Sequence, residues 1–216
     1  MFILELISSP VKFIYFIVAL IIGITIHEFC HAWTAYKLGD PTPKKMGRVS
    51  LNPLAHLDPL GTVFLFLAGF GWGKPVIFNP KNFAHEKKGI ILTSYSGAIA
   101  NIMVAFIFSI PYRLNIYFNF GLENTWFYIL FDYIVNLNLI LAAFNILPIP
   151  PLDGSKILYL FVNEKTMAKL EQIGMPLLFL VLFLSIFLNF NFFILILTYI
   201  VNWLLYLVRV FPASPI

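Results

Sequence analysis

One stretch limits what this chain can become: an apolar run from about Val11 to about Leu38 whose second half reads His27-Glu28-Phe-Cys-His31. A run of that length is long enough to cross a bilayer as a helix. Ionisable side chains at such depth are costly and generally mark function. On a helix, residues i and i+4 lie roughly 40° apart in azimuth and about 6 Å apart along the axis, so His27 and His31 share a face. That face can offer two ring nitrogens to one Zn²⁺, while Glu28 stands ready to take a proton from water the metal acidifies. The competing explanation is structural, because a five-residue match arises by chance and a helical histidine is often only hydrogen-bonded. The apolar setting weighs against it, since nothing cheap explains two His and a Glu at lipid depth.

Composition fixes the class. Of 216 residues, 60% are hydrophobic and 11% charged, against about 25% charged in soluble domains. The expected fold is therefore an all-α polytopic membrane protein. The net charge of +4 does not point to nucleic acid, because the basic residues fall in short loops where they orient a membrane protein. A single cysteine, Cys30, excludes an internal disulfide. It lies about 60° from His27 around the helix and is not expected to bind metal. Residues 1–26 show no small-residue cleavage site and are read as part of a retained helix. No polar stretch is long enough to fold separately. The expectation is one domain over 1–216, with a catalytic core at about 11–160 and a C-terminal helical hairpin at about 174–210.

Taken in order, the first span stops at Gly39-Asp-Pro-Thr-Pro43, since proline cannot continue a helix. Lys37, Lys44, Lys45 and Arg48 then put this end in the cytoplasm and the N-terminus outside, across a cell membrane. Residues 62–70 are apolar but too short to span, and a second basic loop (Lys74, Lys81, Lys87, Lys88) follows. If both basic loops are cytoplasmic, residues 59–75 must dip in and return beside the active site. Further spans are expected at about 89–110, 126–146, 174–188 and 192–210, which makes about five transmembrane helices. The segment 163–171 reads as a short charged amphipathic helix, and Asn189-Phe-Asn191 as the connection before the last span. Ser94 to Asn101 carries small residues that let helices approach closely; Asn101 must find a partner at membrane depth. Asp132 and Asn136, four apart, are expected to bond to one another. Asn145-Ile-Leu-Pro-Ile-Pro-Pro-Leu-Asp153-Gly154 cannot stay helical through three prolines. Asp153 is thus held on irregular backbone near the side of His31, as the third metal ligand.

With both motifs on the page, the chain resembles the site-2 protease family of intramembrane zinc metalloproteases, in its small bacterial and archaeal branch. The resemblance covers most of residues 20–160 and rests on the His27-to-His31 motif paired with the Asn145-to-Gly154 motif. It implies one Zn²⁺ held by His27, His31 and Asp153, with Glu28 as general base. It also implies that Asn101 and Asn145 help hold the substrate strand or the oxyanion, although Ala98 stands where the family has proline. Asn52-Pro-Leu-Ala-His56 and Gly71-Trp-Gly-Lys-Pro75 look like the small branch too, and His56 is expected near the substrate, at a polar opening with Lys74. The implied substrate is a transmembrane protein within the lipid bilayer, met without a PDZ or CBS domain. A membrane metal transporter using the same three ligands is the competing class, and an inactive zinc-binding protein a third. Transport favours several polar sites in succession, and a purely structural site has no use for Glu28.

Overall fold

The computed structural model describes residues 9–68, 71–123, 125–187 and 192–209. The expectations for the extreme N-terminus and for the 189–191 connection lie outside these residues. Seven helices matter: α1 (Pro10–Lys37), α2 (Pro59–Ala68), α3 (Glu86–Phe108), α4 (Ile110–Phe118), α5 (Trp126–Ile146), α6 (Glu164–Phe187) and α7 (Phe192–Arg209). Among the described residues there is no strand, only an isolated antiparallel bridge between Leu57 and Gly73. Four helical stretches are long and apolar enough to cross a membrane: Pro10–Lys37, Glu86–Phe118, Trp126–Ile146 and Glu164–Ser185. The fifth expected span is the shorter α7, about 27 Å long at 1.5 Å per residue. The chain is an all-α polytopic membrane protein.

Helices α1, α3 and α5 form the heart of the bundle, and small residues let them close up. Ala19, Ala32 and Ala35 of α1, Ala105 of α3, and Ala142 and Ala143 of α5 have no exposed surface at all. Between lipid-immersed helices there is little hydrophobic drive, so dispersion at short range does the holding, and small side chains permit it. Behind α5, Val135 and Leu139 pack with Ala105, Leu204 and Val208, which seats α7 on the bundle. The outer faces carry exposed large apolar groups such as Met103, Phe106 and Trp203, suited to lipid contact.

Two boundaries differ from the expectation. The second span does not end at Pro111; the chain bends at Ser109 and continues as α4, with Pro111 in the first turn, where a missing N–H costs nothing. The charged segment 163–171 is not a separate helix. It is the first part of α6, which runs on through Pro176. Gly174 explains why this helix sits where it does: a Cβ there would lie 2.6 Å from Pro150 Cβ, so α6 passes directly against the proline-rich turn. Asp132 and Asn136 do pair, Asn136 Nδ2 donating to Asp132 Oδ1 at 3.0 Å, and Arg209 of α7 joins the same carboxylate.

Residues 57–75 leave and return at one level. Helix α2 has ten residues, about 15 Å, half of a bilayer core. By Gly73 the chain is back beside Leu57, and Lys74 N donates to His56 O at 2.7 Å. An excursion with both ends together cannot cross.

Candidate active site

The site is assembled by α1, α3 and the turn after α5. His27 and His31, both buried, project from the same face of α1, their rings 4.5 Å apart and edge to face. Helix α5 ends at Ile146 and Leu147 is extended, so the chain turns back through Pro148 to Pro151 before the 3₁₀ turn Asp153–Leu160. That return carries Asp153 to the imidazoles. His27 Nε2 lies 3.0 Å from Asp153 Oδ2, His31 Nε2 lies 3.1 Å from it, and the two Nε2 atoms are 2.9 Å apart. Among the described residues this is the group of His, Cys, Asp and Glu side chains close enough to share one ion.

The donor chemistry fits a metal. His31 Nδ1 lies 2.7 Å from Thr93 O, a main-chain carbonyl that can only accept, so the ring proton sits on Nδ1. His27 Nδ1 meets Asn101 Oδ1 at 2.7 Å, again an acceptor. Both rings therefore turn a bare Nε2 lone pair toward a carboxylate oxygen, three acceptors facing one another. Such a triangle is repulsive unless a cation sits at its centre. Tetrahedral zinc with bonds of about 2.0–2.1 Å spaces its ligands about 3.3–3.4 Å apart, close to the distances here.

A small residue makes room for the pair. At Gly97 of α3 a Cβ would stand 2.5 Å from His31 Nε2 and 2.7 Å from His27 Cε1. The small-residue segment of α3 thus serves the ligands as well as helix packing. Beside the ligands opens a cavity of about 680 Å³ lined by Glu28, Ile24, Gly73, Leu141, Asn145 and Asp153 among others. A Cβ on Gly73 would be 3.3 Å from Glu28 Oε1, so the extended segment after α2 passes close over the Glu28 carboxylate.

The expected site residues separate into two sets. His27, His31, Asp153, Glu28 and Asn145 all line the cavity; Asn145 also donates to Leu141 O one turn earlier. Asn101 and His56 do not. Asn101 is fully buried behind His27, with both amide hydrogens given to Gly23 O and Asn138 Oδ1, so nothing of it faces a substrate. His56 is fully buried too, its Nε2 2.6 Å from Ser50 O, and it is no part of a polar opening; Lys74 alone of that pair is exposed. Asn101 is satisfied internally, as a buried amide must be, whereas His56 is held through Nε2 and its buried Nδ1 has no hydrogen-bond partner. Cys30 stands half-buried outside the ligand group.

Arg48 has a part here that the sequence does not announce. Arg48 looked like a loop charge that orients the chain, yet it is 3% exposed and its two terminal nitrogens hold Ala55 O and Lys74 O. It clamps the two ends of the 57–75 excursion beside Glu28. Burial draws the guanidinium down from its ordinary range and the Glu28 charge opposes this; it stays charged. No local signal marks such a role, because a basic residue after a membrane helix is what orientation alone would place there.

Comparison with known proteins agrees with this site. Residues 114–189 match the family described as peptidase family M50. The chain is 40% identical over 181 residues to the inferred zinc metalloprotease YwhC of Bacillus subtilis, covering 79% of this chain and 80% of that one. It is 30% identical over 189 residues to the inferred zinc metalloprotease Rip2 of Mycobacterium tuberculosis strain H37Rv, covering 84% and 71%. An inferred zinc metalloprotease of Methanocaldococcus jannaschii is 31% identical over 152 residues, covering 69% and 72%. No solved structure matches the chain significantly.

Proposed function

The chain belongs to peptidase family M50, the site-2 protease family of intramembrane zinc metalloproteases, and on that premise we propose how its residues cleave a peptide bond in a membrane. The observation that carries the reading is the triangle of His27 Nε2, His31 Nε2 and Asp153 Oδ2, with Glu28 lining the adjoining cavity. These three atoms would hold one Zn²⁺. When bound, zinc acidifies water and polarises a carbonyl, the chemistry hydrolysis needs.

Glu28 accepts the proton from the attacking water and returns it to the departing amine. Asn145, in the cavity wall, is placed to donate to the scissile carbonyl as charge gathers there. The substrate is a transmembrane segment of another membrane protein, whose carbonyls are locked in its own helix until it unwinds. Unwound backbone in a bilayer needs new partners. The extended run Gly71–Val76, tied to Leu57 at one edge, lines the cavity and offers a strand to pair with.

The whole of 1–216 serves as one domain in this reading. The N-terminus lies outside a cell membrane and the site opens toward the cytoplasm, since Lys37, Lys44 and Lys45 follow α1 and Lys87 and Lys88 begin α3. A transporter finds less support: one ligand group is present among the described residues, where transit asks for several. Zinc content and single-turnover cleavage of a single-span substrate in detergent, with Glu28→Gln beside wild type, test the proposal. The variant keeps its zinc and loses cleavage. Cleavage near the wild-type rate would place the proton acceptor elsewhere, and loss of zinc would make Glu28 a ligand.

A further inference from the structure

Behind the ligand face of α1 lies a chain of buried amides that the catalytic scheme leaves unused. Asn138 of α5 has no exposed surface, and the reading of the sequence passed over it. Its Nδ2 donates to Ile134 O at 2.8 Å, one turn back on the same helix. Its Oδ1 accepts from Asn101 Nδ2 at 2.7 Å. The second hydrogen of that Asn101 amide goes to Gly23 O of α1 at 3.1 Å, and Asn101 Oδ1 meets His27 Nδ1 at 2.7 Å. Gly23 lets α5 come this near: a Cβ there would stand 2.7 Å from Leu141 Cδ1 and 3.5 Å from Asn138 Oδ1.

The direction of every bond in this chain follows from its two ends. Ile134 O and Gly23 O are main-chain carbonyls and can only accept. Reversing the Asn138 amide would put its oxygen against Ile134 O; reversing Asn101 would put its oxygen against Gly23 O. Each reversal buries two acceptors face to face, which costs far more than a lost hydrogen bond. Asn101 Oδ1 is therefore obliged to point at His27, and His27 Nδ1 is obliged to donate. In a neutral imidazole the other nitrogen is then bare.

We propose that Asn138 is a positioning residue for the metal centre: together with Gly23 O it fixes Asn101, which holds His27 as the Nδ1–H tautomer and keeps Nε2 free as a ligand. His31 gets the same service from a single carbonyl, Thr93 O. His27 has no carbonyl in that place and depends on a side-chain amide, whose direction Gly23 O and Asn138 Oδ1 set together. Partners of this kind are worth about 10- to 100-fold in metal affinity. The proposal rests on the zinc-peptidase reading and goes beyond it in naming what fixes the tautomer.

Two substitutions separate positioning from mere packing. Asn138→Thr keeps a hydroxyl that bonds Ile134 O, as helical threonines do one turn back, but it cannot reach Asn101. Asn138→Asp is isosteric, and in this dry setting its carboxyl stays protonated, able to donate to Ile134 O and accept from Asn101. The full-length proteins are labelled with heavy-isotope histidine nitrogen and measured in detergent, for zinc affinity by chelator competition and for imidazole nitrogen resonances after chelation. A His27→Ala spectrum identifies the His27 signals. Asn138→Thr is expected to lose about 10- to 100-fold in zinc affinity and to show a new Nε2–H population of His27. Asn138→Asp is expected to match wild type in both. If the threonine variant does not fold, Asn138→Leu is read in its place. Wild-type affinity and a pure Nδ1–H ring in the threonine or leucine variant overturn the assignment to Asn138. A wild-type protein that binds no zinc overturns the peptidase reading instead.

Discussion

Gly97→Ala adds one methyl group at the point where α3 passes the ligand pair. Its Cβ would stand 2.5 Å from His31 Nε2, 2.7 Å from His27 Cε1 and 2.8 Å from His27 Nδ1. Ordinary contacts begin near about 3.5 Å, so the neighbours would have to yield by about 0.7–1.0 Å. The imidazoles cannot do so unnoticed. Metal ligands hold their distances to within about 0.2 Å, and His31 Nε2 is itself a ligand atom. Overpacking of this kind costs about 1–3 kcal/mol. Drawn wholly from metal binding, that is a loss of about 5- to 150-fold in zinc affinity, at 1.4 kcal/mol per tenfold. Helix propensity pulls the other way, since alanine in a helix interior is favoured over glycine by about 0.8–1.0 kcal/mol. The two effects are therefore distinguishable by sign. The assay is chelator competition for zinc in detergent, with thermal unfolding of the zinc-free protein recorded alongside. Wild-type zinc affinity together with a raised unfolding temperature would show that α3 does not press on the histidines, and the description of the site would fail.

Other outcomes follow from single contacts. Cys30→Ala keeps full zinc and full cleavage, because the thiol stands outside the ligand group; elemental analysis beside an activity assay checks it. Arg48→Lys keeps the charge but not the fork that holds Ala55 O and Lys74 O. Losing a charged hydrogen bond costs about 1.5–3 kcal/mol, so proteolysis within 57–75 is expected to quicken while zinc content is unchanged. Asp40 is fully buried and accepts from Thr42, Asn79 and Asn82, which ties the end of α1 to the loop before α3. Burial would raise its carboxyl, and those hydrogen bonds outweigh it and lower it. A lowered group stabilises above its unfolded value, about 3.9, and that stability is lost as pH falls through the folded value. Asp40→Asn should therefore destabilise at neutral pH by about 1–3 kcal/mol. The gap to wild type should narrow below about pH 4, as read by denaturant unfolding across a pH series.

The sequence by itself determined the class of fold and the chemistry. Apolar runs of spanning length allow little except helices, because backbone in lipid must satisfy its own hydrogen bonds. His27 and His31 are four residues apart on one helix, so their common face follows from 3.6 residues per turn, with Glu28 next to them in the chain. Asp153 was legible as a partner because three prolines before it forbid a regular helix. The early return of residues 59–75 was legible because the apolar run 62–70 is too short to cross a bilayer. Tertiary structure decided what each buried polar group does. Asn101 and His56 look like functional amide and imidazole in the chain, and only the packing of α3 behind α1 and the turn at Ser50 shows both turned inward. Arg48 and Asn138 carry no local mark of their roles, since the partners that define them, Lys74 O and Asn101, lie 26 and 37 residues away in the chain. A hydrogen bond's direction is set by the acceptors at its ends. Those ends, Ile134 O and Gly23 O on different helices, meet only when the helices are packed.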